Sequence, residues 1–162
     1  MGRISGKRIW ETEHFVLDAS LHPHVSREYG GHIVISGKED IYTDRTVFTL
    51  EEGTEVMRLS MMAGEAFVAG MAKRGIVISR INYQENGNWA FLRGDSKPFF
   101  HIHLYARSKD NPAQPWGEAL YFPDPDERKD FYAACEPLND EDVAAIRAEM
   151  EKLDASPKYR LS

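Results

Sequence analysis

The sequence predicts an α+β fold built on an antiparallel sheet. Runs with strand character come first, then one long helical pattern, a strand pair and two further helical patterns. Segregation of this kind argues against alternating parallel βαβ units. The strand pair, 76–83 and 98–107, is joined by a polar loop from Gln84 to Lys97 without helical periodicity. Such a loop suits antiparallel neighbours, because a parallel crossover needs a helix-sized segment. Residues 98–107 read Pro-Phe-Phe-His-Ile-His-Leu-Tyr-Ala-Arg. Alternate side chains of a strand share a face, so His101, His103 and Tyr105 form one row and Ile102, Leu104 and Ala106 the other.

In chain order, Ile9 to Leu17 carries enough β-branched and aromatic residues for one or two short strands broken near Glu13. Asp18 to Gly31 is a loop punctuated by Pro23, Gly30 and Gly31. His32 to Ser36 is a strand, with Gly37-Lys38 as its turn. Thr49 with Glu52 has capping-box spacing. Val56, Leu59, Ala63, Phe67 and Met71 then recur at helical spacing as one buried stripe. The methionines of this helix read as core and flank packing. Gly64 and Gly70 let the helix lie close on a neighbour, and Gly75 ends it. Ile76 to Tyr83 is the next strand. Ala119 to Phe122 is a candidate edge strand. Asp124-Pro125 opens a helix that reaches Cys135. Asn139 caps the last one, with acids in its first turn and a stripe of Val143, Ile146, Met150 and Leu153.

The chain's 162 residues suffice for one domain with a real core, expected over 1–162. A net charge of -6 disfavours nonspecific binding to nucleic acid or a membrane surface. No apolar run approaches the roughly 18 residues of a membrane span. The basic N-terminus is not followed by the apolar core of a signal peptide, so a cytoplasmic protein is expected. Cys135 stands alone, which excludes an internal disulfide and a cysteine-based zinc cage. It reads as a packed thiol rather than a nucleophile.

A polar row on a half-buried strand needs partners or a job. The plain alternative is a solvated sheet face. Alternate imidazoles support two chemistries. One is metal ligation, which needs a further ligand such as His32, His22, His24 or a carboxylate. The other is nucleophilic attack on phosphorus by a neutral imidazole, which needs a partner to hold the tautomer and donors around the developing charge.

The stretch Phe99-Phe100-His101-Ile102-His103-Leu104-Tyr105-Ala106-Arg107 resembles the signature strand of the histidine-triad superfamily of nucleotide hydrolases and transferases. Gly31-His32-Ile33-Val34-Ile35-Ser36-Gly37-Lys38 is similar to the family's glycine-histidine strand with its lysine turn. Val16-Leu17-Asp18 resembles the segment with the ribose-binding acid, and Ile81-Asn82 the strand end with a phosphate-side asparagine. The resemblance covers roughly residues 9–107. It implies a sheet of about five strands, one long helix and a C-terminal helical extension from 108 to 162. It also implies His103 as nucleophile on the α-phosphorus, His101 and His32 supporting it, Asp18 on ribose and Asn82 near the phosphates. A nucleotide or nucleotide conjugate would be the substrate, with no cofactor and no metal in the chemical step, and the protein would be a homodimer. The sequence departs from the pattern at Tyr105, where the third histidine stands. It departs again at Asp95-Ser96-Lys97-Pro98, which replaces a glycine-glutamine-serine turn and leaves Ser96 and Lys97 as the candidate phosphate contacts. Tyr105 is expected at the leaving group. The reaction class expected is nucleotidyl hydrolysis or transfer on phosphate esters, phosphoramidates or dinucleoside polyphosphates. A nucleotide-binding protein with weak catalysis and a metal-dependent enzyme are the alternatives.

Overall fold

A computed structural model describes residues 6–92 and 97–160. Five strands form one sheet in the order β1-β2-β3-β5-β4. They are β1 (Gly6–Glu11), β2 (Phe15–Ser20), β3 (Gly30–Gly37), β4 (Arg80–Gln84) and β5 (His101–Arg107). Every neighbouring pair is antiparallel, including the β4–β5 pair for which the connecting loop suggested it. Gly30 and Gly31 open β3 at φ 128° and 100°, where a side chain is strained. A Cβ on Gly30 would also meet the Ala106 carbonyl oxygen at 2.5 Å. These two glycines bring the start of β3 hard against β5 and set His32 beside it.

The helix α1 (Leu50–Lys73) begins as the sequence predicts. The Thr49 hydroxyl accepts from the Glu52 amide, and the Glu52 carboxylate accepts from the Thr49 amide at 2.7 Å. Its stripe of Val56, Leu59, Ala63, Phe67 and Met71 is buried against Phe15, Leu17, Ile33, Ile35, Ile102 and Leu104 on one face of the sheet. The helix α3 (Asp140–Asp154) adds Val143, Ile146 and Met150 to the same core. Its first turn is tied down by Asp142, which is fully buried and receives Arg27 at 2.7 and 2.9 Å and Arg74 at 3.2 Å.

Several boundaries differ from the sequence reading. The loop expected from Asp18 to Gly31 is shorter, because β2 runs on to Ser20 and β3 already begins at Gly30. The strand expected from Ile76 starts only at Arg80, because the Ile76 amide is committed to the Met71 carbonyl at the end of α1. Residues 119–122 form no strand: the Tyr121 backbone is paired in both directions by the Gln114 amide, at 2.8 and 3.1 Å, in place of a ladder. The helix α2 (Arg128–Ala134) starts after Asp124, whose carbonyl closes a turn with the amides of Glu127 and Arg128.

Gly70 explains how α1 and α3 approach. A Cβ there would lie 2.8 Å from the Ile146 Cα, whereas a Cβ on Gly53 would meet nothing within 4 Å. Alanine gains about 1 kcal/mol over glycine in a helix interior, but overpacking against backbone costs about 1–3 kcal/mol. Gly53→Ala should therefore raise the urea midpoint and Gly70→Ala lower it, although both raise helix propensity equally.

Candidate active site

Opposed residues in a ladder share a face. The register aligns Asp18 with Val34, Val34 with His103 and His103 with Gln84 across β2, β3, β5 and β4. It also aligns His32 with Tyr105 and Tyr105 with Asn82, and sets Ser36 opposite His101. The sequence-predicted residues Asp18, His32, Asn82, His101, His103 and Tyr105 thus stand on one face, opposite the core. Asp18 is two strand spacings from His103, roughly 10 Å, and its carboxylate accepts from Arg8 Nε at 2.7 Å. Lys97 is exposed. Ser96 lies outside the described residues.

The row is not half-exposed, as the sequence suggested. Every residue of β5 is buried, because the chain from 108 to 135 folds back over this face. Arg107, at the end of β5, anchors that return: its guanidinium donates to the carbonyls of Pro115, Glu118 and Gln114 at 2.6, 2.9 and 3.3 Å. Tyr105 is fully buried in a second small core with Val25 and Leu120, flanked by Tyr29 and Phe122. Its hydroxyl accepts from Asn86 Nδ2 at 3.1 Å, and burial raises the phenol above its ordinary range.

The imidazoles form a connected set. His32 Nε2 and His103 Nδ1 are 2.8 Å apart. His32 Nδ1 accepts from the His24 amide at 3.4 Å. His101 Nδ1 lies 3.0 Å from the Phe99 carbonyl oxygen, and the Phe99 ring stacks on His101 with centroids 4.5 Å apart. His103 stacks on Tyr105 at 5.2 Å. Burial pushes His103 down to about 3 and His24 down to about 4, and holds His32 and His101 below the ordinary imidazole value. All four are therefore neutral at pH 7.

His24, which the sequence offered only as a possible metal ligand, joins this set through its amide on His32. The loop after β2 carries it into a cage of aromatic rings, with centroids 4.7 Å from Tyr132, 4.9 Å from Phe122 and 5.6 Å from Tyr105. Its Nε2 is 2.7 Å from the Tyr132 hydroxyl of α2. The only signal in the sequence was the His22-Pro23-His24 pair, in which His22 proves exposed. Among the described residues, no three His, Cys, Asp or Glu side chains converge as a metal site would need. The ligand reading of His101 and His103 thus lacks its third arm there.

Acid should destabilise this protein through the same imidazoles. Between their depressed folded values and the unfolded value near 6.5, the unfolded chain binds more protons, so stability rises with pH. His14, which bonds Glu55 and is held above its ordinary value, works in the opposite sense but alone. The urea midpoint should therefore fall steadily from pH 7 to pH 4, and His103→Gln should flatten that fall.

No family model matches the chain, and no curated protein does. Solved structures do. A HIT-like protein involved in cell-cycle regulation from Bartonella henselae superposes with TM-score 0.57 at 14% identity, over 90% of this chain and 87% of that one. A hypothetical histidine triad nucleotide-binding protein from Sulfolobus tokodaii gives 0.55 at 13% identity, over 93% and 87%. A zinc-bound histidine triad family protein from Mycobacterium smegmatis gives 0.52 at 21% identity, over 93% and 88%. These superpositions show that this chain has the histidine-triad fold.

Proposed function

We propose that this chain binds a nucleoside phosphate over the His101 and His103 end of the row and cleaves or transfers it through a nucleotidyl-imidazole intermediate. The observation that carries this reading is the 2.8 Å contact between His32 and His103 beside a second neutral imidazole at His101. A neutral imidazole is a nucleophile toward phosphorus, and a hydrogen-bonded neighbour fixes which nitrogen is free. Asp18, on the same face, is suited to ribose hydroxyls, and Asn82 and Lys97 to the phosphates. The nucleotide-binding description of the Sulfolobus tokodaii protein supports the same ligand class. No helix among the described residues is long and apolar enough to cross a membrane, and a cytoplasmic location is part of the proposal.

The second reading, a nucleotide binder with weak catalysis, is favoured by Tyr105. The resemblance puts the third triad position at the leaving group, yet this phenol is fully buried and bonded to Asn86. We propose that it is a packing residue. A homodimer is part of the same proposal: β4 is an edge strand, and Met57, Met61 and Tyr83 beside it are about half exposed.

Three outcomes test these statements. A panel of nucleoside phosphates, phosphoramidates and dinucleoside polyphosphates, scored for binding and turnover, should give both with at least one compound; binding without turnover favours the second reading. A chelator should leave binding and turnover unchanged, and a loss restored by zinc, iron or manganese would favour the metal-dependent alternative. Tyr105→Phe should cost about 0.5–1.5 kcal/mol of stability, the worth of one neutral hydrogen bond, and leave kcat as it was.

A further inference from the structure

On the core side of the sheet, an apolar trough opens between α1 and the start of β5. It consists of two adjoining cavities of about 180 and 350 Å³. Both are lined by Arg45, Met57, Ser60 and Ile102. Phe48, Val56 and Phe100 extend the lining of the smaller one, and Met61 and Tyr83 that of the larger. The space has three causes in the sequence. First, β4 ends at Gln84, opposite His103, so Ile102 has no ladder partner on that side. Second, α1 presents the small residues Gly53 and Ser60 there, and a Cβ on Gly53 would still meet nothing within 4 Å. Third, Gly64 lets the hydroxyl end of Tyr83 rest on the helix, because a Cβ there would collide with that oxygen. The trough is separate from the histidine row, since alternation along β5 turns His101 and His103 to the opposite face from Ile102.

One ion pair marks its rim. Arg45 lies in the segment before α1, and Glu85 directly follows β4. Nε and Nη2 of Arg45 donate to the same oxygen of Glu85, Oε1, at 3.1 and 2.7 Å. Both residues line the larger cavity, and both side chains reach solvent. Their bonding is incomplete, because a guanidinium has five N–H donors and a carboxylate two acceptor oxygens. Among the described residues, Arg45 Nη1 and Glu85 Oε2 hold no hydrogen bond. The pair is neutral in sum, yet it still offers donors on one side and an acceptor on the other.

We propose that this trough binds a free α-amino acid with a large apolar side chain, such as leucine, methionine or phenylalanine. The side chain fills the trough over Phe48, Val56, Phe100 and Ile102. The α-carboxylate accepts from Arg45 Nη1, and the α-ammonium donates to Glu85 Oε2. Charge complementarity selects this class among amphiphiles. A fatty acid would set its carboxylate beside Glu85 as well as Arg45, and an alkylamine its ammonium beside Arg45 as well as Glu85. Like charges so placed oppose binding. A zwitterion meets each charge with its opposite and adds no net charge to the rim. The size agrees, since pockets for small ligands run from roughly 300 to 1,000 Å³. The methionine walls adapt to side chains of different shape. None of this depends on nucleotidyl transfer.

The test uses the full chain labelled with carbon-13 at its methionine methyls, with Met57→Leu and Met61→Leu assigning the two trough signals. Titration with L-leucine, L-methionine or L-phenylalanine should move both signals saturably and leave that of Met150, buried in α3, in place. Glycine, which has no side chain, should move neither. N-acetyl-leucine and leucinamide each lack one charge and should bind at least about tenfold more weakly than leucine, the worth of a charge-assisted hydrogen bond. Octanoate should be weaker by a similar factor, and so should leucine on Arg45→Gln or Glu85→Gln. Three results would overturn the proposal. One is no saturable shift with any of the three amino acids. Another is equal affinity for leucine and N-acetyl-leucine, which leaves an unselective apolar crevice. The third is trough signals that move on dilution of the protein alone and ignore leucine, which gives the trough to a second copy of the chain.

Discussion

The contact between His32 and His103 spans 2.8 Å from strand to strand under a layer of protein that excludes most water. Its position constrains everything around it. A charged imidazole there would lose its hydration without gaining a carboxylate, which costs far more than one hydrogen bond returns. Every ring in the row must be neutral, and a neutral imidazole has one donor and one acceptor to place. His32 places both, with the His24 amide on one side and His103 on the other. His101 and His103 each place one on protein, at Phe99 and at His32. Among the described residues each Nε2 is left without a protein partner, and both residues keep 8% of their surface exposed. The two nitrogens left over are thus the ones able to meet a ligand.

Neutrality in turn depends on the cover. Arg107 ends β5 and sends its guanidinium into carbonyls of residues 114–118, while Gln114 fastens the chain to Tyr121 and to the His24 carbonyl. These contacts bring Phe122 and α2 over the row and enclose His24 between them. The segment after β5 is therefore part of the site, as much as β3 and β5 are. The helix α3 does something different: its contacts with α1 and β1 belong to the core on the opposite face, and Asp142 joins it to Arg27 in the loop before β3. One end of the chain thereby secures both faces of the sheet.

The core face was legible in the sequence because burial against helices imposes a period. The alternation of Ile102, Leu104 and Ala106, the stripe of α1 and the capping box at Thr49 each carry a local signature. The row of His101, His103 and Tyr105 was legible by the same alternation, and His32 by its place in the glycine-histidine segment. The cover was not. It is held by arginine and glutamine side chains on backbone carbonyls, by bonds between residues distant in sequence and by isolated aromatic residues, none of which has a period. The supposed edge strand at 119–122 shows why: its composition suited a ladder, but Gln114 supplied the hydrogen bonds first. The aromatic cage of His24 likewise draws on residues from 105, 122 and 132, which only the fold brings together.

The departure at Tyr105 gains a physical meaning from this cover. A third imidazole at that position would be a fifth neutral ring with two nitrogens to satisfy, beneath Val25, Leu120 and Phe122, where Asn86 offers one donor. A phenol asks for less: its ring packs as a hydrophobe, its oxygen accepts from Asn86, and it needs no charge state other than neutral. Tyrosine is thus the side chain that lets the row end inside a core. The same replacement removes from that end of the site a group able to exchange a proton near neutral pH, because burial raises the phenol and lowers the nearby imidazoles. The site is left with nucleophilic and hydrogen-bonding nitrogen but no acid of its own. Any reaction on this face must therefore release a group that departs without a proton from the row, or draw that proton from water or from the substrate.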